Sequence, residues 1–165
     1  MIHKIQGYAY ILGDDINTDD IVPSDTLTLR DTTEMANSTL KYIDPNFVNS
    51  VSKTNIIIAG ENFGTGSSRE EAVNVFKILG IKAIIAKSFA RIYFRNLINL
   101  GIPGLQLNWK DNNFSHGDEI EIELVDGKIY NKTQNSEFIF EKLPKFLTNI
   151  LEEGGIINQL KKKLH

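Results

Sequence analysis

Two serines followed at once by an arginine, Ser67-Ser68-Arg69, carry the clearest chemical signal in this sequence. They lie in Gly60–Ala72, GENFGTGSSREEA, a stretch with three glycines that follows the apolar run Ile56-Ile57-Ile58. An apolar run entering a glycine-rich turn reads as a buried strand passing into a helix. The first N–H groups of a helix lack helical partners, and the macrodipole favours negative charge beside them. Glycine allows positive φ and close backbone approach to a ligand. Arginine adds a planar donor fork that matches a carboxylate or phosphate. The chemistry implied is capture of an anion at the mouth of the turn. A plain strand-to-helix connection capped by serine fits the local pattern equally well.

Better-known glycine turns do not fit. A dinucleotide fingerprint needs a third glycine where Arg69 stands, and a P-loop needs Gly-Lys followed by Ser or Thr. A hydrolase elbow, G-x-S-x-G, is broken at Ser68-Arg69 and needs a histidine partner. The three histidines, His3, His116 and His165, lie at the termini or in a polar loop, so a Ser–His pair within the chain is not expected. The 165 residues include no cysteine, which excludes disulfides, thiolate nucleophiles and an iron–sulfur cluster held by this chain's own thiolates.

The composition, 41% hydrophobic and 24% charged, is that of a globular protein, and the length suits a single domain over 1–165. A net charge of −3 argues against a nucleic-acid partner, whose binder shows a basic face. Lys161-Lys162-Lys163 reads as a solvated helix end. No apolar stretch reaches the roughly 18 residues of a membrane span, and the N-terminus lacks an apolar signal core. The expectation is a cytoplasmic chain without a membrane partner.

The elements that must position the serine–arginine turn follow from periodicity. Ile5–Leu12 reads as a first strand, and the acidic turn DDINTDDIVPSD follows it. Thr26–Arg30 suits a short strand or extended loop, Thr33–Tyr42 has weak helical character, and Asp44-Pro45 reads as a helix start. The Ile56–Ile58 run suits a strand buried on both faces. Apolar residues at Ala72, Val73, Val75, Phe76 and Leu79 predict a helix over Glu70–Leu79, which Gly80 ends. Lys82–Ala86 repeats the buried-strand pattern, and Ser88 is placed to cap a helix over Phe89–Leu100. Residues 55 to 100 thus form a βαβ unit. Beyond it, Glu119–Val125 alternates, Asp126-Gly127 turns the chain into Lys128–Lys132, and Ser136–Phe140 suits a further strand. A helix over Pro144–Leu151 and a short terminal helix close the chain. The expected class is α/β, parallel in the middle and antiparallel towards the C-terminus.

GENFGTGSSRE, then IKAIIAKSFARIYFRNLINLGIPGL, closely resembles the swivel domain of the aconitase superfamily. With a chain this short and the ending EEGGIINQLKKKL, the resemblance is strongest to the stand-alone small subunits of 3-isopropylmalate dehydratases. INTDDIVPSD, the serine–arginine turn, SFARIYFRN and the double-glycine tail occur in the family's order, and the resemblance covers nearly the whole chain. It implies a swivelling β/β/α domain of three layers with mixed parallel and antiparallel sheets. It also implies a hydro-lyase that isomerises 2- and 3-isopropylmalate by dehydration and rehydration in leucine biosynthesis. A 4Fe–4S cluster would belong to a partner large subunit, and the substrate would be a small hydroxy acid. Carried over residue by residue, Ser67 is the base that takes a proton from carbon, and Arg69 binds a substrate carboxylate. Ser68, Thr65 and Gly66 help hold the anion. Asp19 is an active-site carboxylate orienting Ser67 or Arg69, or alternatively a turn cap. Asn62, Gly64 and Asn96 support the turn.

The sequence departs from the family pattern at several places. Thr26-Leu27-Thr28-Leu29-Arg30 falls where the family reads the variable part of its substrate, and Thr26 and Thr28 replace the expected aromatic and specificity residues. Arg30 is placed either to serve an extra carboxylate or to face water. Thr65 stands where cysteine is frequent, and Glu71 where histidine is. Arg91 and Arg95, four apart on one helix face, are expected to make structural or interface salt bridges. The substrate choice therefore stays open between isopropylmalate and relatives such as homoaconitate or 2,3-dimethylmalate. A non-catalytic anion-binding domain is the remaining alternative.

Overall fold

The computed structural model describes residues 4–165, so His3 lies outside the described residues. A seven-stranded mixed sheet runs in the order β4-β3-β2-β1-β5-β6-β7. Its strands are β1 (Lys4–Ile11), β2 (Ile56–Ala59), β3 (Ala83–Ala86), β4 (Gly104–Gln106), β5 (Glu119–Glu123), β6 (Lys128–Asn131) and β7 (Ser136–Ile139). β1 through β4 pair in parallel, with Ile57 opposite Tyr10 and Ile84. On the other side of β1 the pairing turns antiparallel, with Gln6 opposite Glu121 and Ile122 opposite Ile129. The helices are α1 (Thr18–Ile21), α2 (Thr32–Ala36), α3 (Phe47–Ser50), α4 (Glu71–Ile78), α5 (Arg91–Asn99), α6 (Lys145–Glu152) and α7 (Ile156–Lys163).

Period-two alternation divides the buried strands between two cores. Ile57, Ala59, Ile84 and Ala86 face Phe63, Phe76, Tyr93 and Leu97 on the helical side. Ile56, Ile58, Ala83 and Ile85 face Ile120, Ile122 and Ile129 of the antiparallel strands, with Trp109 and Leu151. The layers are therefore antiparallel strands, parallel strands and helices. β2 and β3 are buried at every position, as strands covered on both faces must be, which is why their sequences are continuously apolar.

Several local expectations change. Thr26–Arg30 is not a strand: Ser24–Thr26 forms a single 3-10 turn, and Thr26 donates its hydroxyl to the Pro23 carbonyl at 2.6 Å. The weak helix expected over Thr33–Tyr42 shrinks to α2. α3 starts at Phe47 rather than at Pro45, with the Asp44 carboxylate accepting from the Asn46 N–H. Ser88 does not cap α5, whose N-cap is Ala90. Its hydroxyl instead accepts from the Asn62 N–H at 2.8 Å and donates to Glu61 at 2.7 Å. α1 and β4 were not expected, being one turn and three residues long.

Candidate active site

The turn after β2 is fastened on both sides by backbone hydrogen bonds. On one side Gly64 donates to Ile16 O at 2.8 Å, and Thr18 donates to Thr65 O at 2.8 Å. On the other, Phe63 donates to Ser88 O at 3.0 Å and Ala90 donates to Phe63 O at 2.9 Å. The segment after β1, the glycine turn and the start of α5 are thus drawn to one edge of the parallel strands. This is where open α/β sheets place their ligands, outside the carboxyl ends of the strands.

The glycines are required by this geometry. Gly64 has φ +85°, and a Cβ there would lie 2.1 Å from the Tyr93 ring. Gly66 has φ +105° and sits over Thr18, with a Cβ position 2.9 Å from its Oγ1. Asn62, also at positive φ, donates its side-chain amide to Asp15 at 2.9 Å and steadies the entry to the turn. Ser67 and Ser68 are exposed, and Thr65 is half-buried. Among the described residues, no protein acceptor takes the N–H of Gly66, Ser67 or Ser68, so all three donors are available to a ligand.

α1 explains the acidic turn before it. Asn17 and Asp20 form a reciprocal capping box, Asn17 Oδ1 accepting from Asp20 N at 2.9 Å and Asp20 Oδ2 accepting from Asn17 N at 3.0 Å. Capping is therefore done without Asp19. Asp19 Oδ1 instead lies 2.6 Å from Arg69 Nη1, which also donates to Val22 O at 3.2 Å. Two anchors on one nitrogen fix the guanidinium. Its remaining donors have no protein acceptor among the described residues and are left for an anion.

These groups line a pocket of about 350 Å³ formed by Thr18, Gly64, the run Gly66 to Arg69, the first turn of α5 and Asn96; Thr65, expected beside the anion, is not in the lining. That volume suits a small organic acid. No carboxylate lines it, and its two charged residues are Arg69 and Arg91. Tyr93 forms its floor, 3% exposed, donating its phenol to Ala72 O at 2.8 Å; burial pushes that phenol's pKa well above its ordinary value. A larger, shallower groove of about 630 Å³ lies elsewhere, along Tyr8, Thr54 and Lys82. There Lys82 already donates to the Gln6 carbonyl at 2.9 Å.

The structure brings Ser67, Ser68, Arg69, Gly64, Gly66 and Asn96 into one pocket, with Asp19 behind Arg69. It does not bring Thr26, Thr28 or Arg30 into that lining: Thr26 is buried, and Thr28 and Arg30 are exposed. Arg91 and Arg95 make no ion pair within the described residues, contrary to the structural pairing expected as one option. No histidine lines the pocket; His116 packs edge-on against Tyr10, ring centroids 4.7 Å apart. Sequence reasoning missed Thr18, Arg91 and Tyr93 as pocket residues. Thr18 joins the pocket through the bond from its N–H to Thr65 O, a contact with no local sequence signal.

The aconitase C-terminal domain family matches residues 15–110. A 3-isopropylmalate dehydratase small subunit from Thermotoga maritima is 46% identical over 96% of this chain and 95% of its own. One from Archaeoglobus fulgidus is 44% identical over 92% and 93%. A crystal structure of 3-isopropylmalate dehydratase from Methanocaldococcus jannaschii superposes with a TM-score of 0.89 at 42% identity, covering 97% of this chain and 95% of that one. Similarity of this extent, running through the glycine turn and both flanking segments, places the chain in the aconitase C-terminal domain family, among the 3-isopropylmalate dehydratase small subunits.

Proposed function

We propose that this chain is the small subunit of a hydro-lyase that interconverts 2- and 3-isopropylmalate in leucine biosynthesis, and that it works only against a large subunit. The observation that supports this most is the pocket where unpaired N–H groups, the Ser67 hydroxyl and an anchored Arg69 converge. The whole chain, 1–165, acts as one swivel domain carrying that pocket. Ser67 Oγ takes the proton from the substrate carbon, leaving its electron pair to form the carbon–carbon double bond as hydroxide departs. The backbone donors of Gly66, Ser67 and Ser68 stabilise the serine alkoxide and the substrate anion in a closed site. Arg69 holds a substrate carboxylate, and Asp19 orients Arg69.

A 4Fe–4S cluster needs thiolate ligands. This chain has no cysteine, and no group of three His, Cys, Asp or Glu side chains that could hold a metal occurs among the described residues. A cluster would be held by thiolates of the partner and would supply a Lewis acid for the departing hydroxyl. No helix among the described residues is long and apolar enough to cross a membrane, which fits a cytoplasmic role.

The test is reconstitution with the large subunit and assay on isopropylmalate, homoaconitate and 2,3-dimethylmalate. Turnover of isopropylmalate by the complex, and none by the small subunit alone, is expected. Preference for one of the other acids moves the substrate assignment. Turnover by this chain without its partner overturns the division of labour.

A further inference from the structure

Three of the buried threonines use their hydroxyls close by. Thr26, Thr39 and Thr54 donate to the carbonyls of Pro23, Ala36 and Ser50 at 2.6, 2.7 and 2.8 Å. Thr18 is the exception. It is 1% exposed, and its hydroxyl has no partner among the described residues. As the first residue of α1 it has no helical carbonyl three or four positions behind it to accept the proton. Its backbone is already committed: the N–H donates to Thr65 O at 2.8 Å, and the carbonyl accepts from Val22 N at 2.9 Å. Gly66 lies over the hydroxyl, and a Cβ there would come within 2.9 Å of Oγ1. A buried hydroxyl left unpaired is costly, so it calls for a partner. A small ligand cannot be that partner while Gly66 covers the oxygen. The adjoining turn can be. From Gly66 to Ser68 no N–H is bonded within the described residues, so this stretch is free to settle inward.

Resting on the reading of Ser67 as the base, we propose that Thr18 is a positioning residue whose hydroxyl donates to Ser67 Oγ when the turn closes on a bound acid. Both residues line the same pocket, and Gly66 is the single link between the covered hydroxyl and the base. A Cβ at position 66 would hold the turn off Thr18, and glycine lets it down. The bond steadies the serine oxygen while it carries charge, adding a side-chain donor to the backbone N–H groups of the turn. When Ser67 Oγ takes the proton from carbon it becomes a neutral hydroxyl, and the bond from Thr18 weakens to a neutral one. The unpaired hydroxyl of the open turn thus serves catalysis and not folding.

The experiment pairs Thr18→Val, which keeps the side chain's shape and removes the hydroxyl, with Thr18→Ser, which keeps the hydroxyl. Both are assayed in the enzyme reconstituted with its large subunit, on whichever of isopropylmalate, homoaconitate and 2,3-dimethylmalate it turns over fastest. Ser67→Ala and the double variant Thr18→Val with Ser67→Ala are assayed beside them. Thr18→Val is expected to lower kcat about tenfold to a hundredfold with KM unchanged, the scale of one hydrogen bond to a charged group. Its melting temperature should hold or rise, because the change removes an unpaired buried hydroxyl. Thr18→Ser should recover most of the lost rate. The double variant should be no slower than Ser67→Ala alone, since Thr18 acts through Ser67. Retained kcat in Thr18→Val overturns the proposal. So does an equal loss in Thr18→Ser, a melting temperature that falls with the rate, or an additive double variant. With Ser67→Ala inactive, each of those results leaves Ser67 standing as the base. If Ser67→Ala keeps its kcat, the base reading falls first and the role of Thr18 falls with it.

Discussion

The two halves of the sheet use the same strand chemistry to different ends. In β1 to β4 every strand points the same way, so the connections leaving β2 and β3 emerge at one edge. The glycine turn and the start of α5 meet there, and free N–H groups converge as a consequence of parallel pairing. In β5 to β7 successive strands reverse, and each connection is a tight turn at alternate edges. That half gathers no donors; its polar face pairs charges with one another. Lys4 and Lys132 reach Glu121 at 2.8 and 3.4 Å, and Lys128 reaches Glu137 at 3.4 Å. The parallel edge thus leaves N–H donors open to a ligand, whereas the antiparallel strands spend their charged side chains on one another.

If this contrast holds, changes at the parallel edge act on catalysis and changes in the antiparallel half act on stability alone. The largest effect is expected for Ser67→Ala. Loss of a general base lowers kcat by roughly 10²–10⁴-fold. Because Ser67 is exposed, the melting temperature should stay where it was. Steady-state kinetics of the reconstituted enzyme, read beside a thermal melt, check both halves of the statement. Retained kcat removes Ser67 as the base. A large drop in melting temperature would instead make it a structural residue.

Gly64→Ala is expected to come next, and it tests where the parallel edge is rigid. The new methyl would sit 2.1 Å from the buried Tyr93 ring, at a φ of +85° that disfavours side chains. Strain of both kinds puts the loss at about 2–4 kcal/mol. Chemical denaturation of the isolated chain measures it. A loss below about 1 kcal/mol would mean that the turn and α5 separate easily, and the pocket would not be preorganised.

Much of this could be read from the chain itself, for reasons that differ by region. Ile56–Ala59 and Ala83–Ala86 are legible because burial on both faces demands unbroken apolar runs. Glu119–Glu123 is legible because one wet face demands alternation. Gly64, Gly66, Ser67 and Arg69 stand out because positive φ and anion chemistry restrict the residues allowed. What escaped was set by tertiary contact. Ser88 looks like a cap, but Glu61 and Asn62 take its hydroxyl. Thr18 enters the pocket only because its N–H pairs with Thr65, more than forty residues away. The Thr26–Arg30 segment looked extended because threonines favour strands, yet the Pro23 carbonyl closes it into a turn.

The smallest effect, and the sharpest test of the contrast, is acid sensitivity at Glu121. Its carboxylate sits between Lys4, the Gln6 amide and Lys132, and its side chain is 9% exposed. Hydrogen bonds from Lys4 and Gln6, reinforced by the charges of Lys132 and Lys4, hold its pKa near 2, below the ordinary 4.5. A carboxylate whose pKa is lower folded than unfolded binds more protons when unfolded. Its stabilising contribution is then complete above about pH 4.5 and drains away as pH falls through about 2. Glu121→Gln should therefore cost on the order of 1 kcal/mol at pH 6, since both lysines are half-exposed, and the gap to the unmodified chain should close between pH 4.5 and 2. Urea midpoints at pH 6, 4 and 2 measure that gap. Turnover at neutral pH should not change, because Glu121 lies in the half that gathers no ligand. A variant that folds normally yet loses activity would show the antiparallel strands reaching into the site, and the separation of the halves would fail.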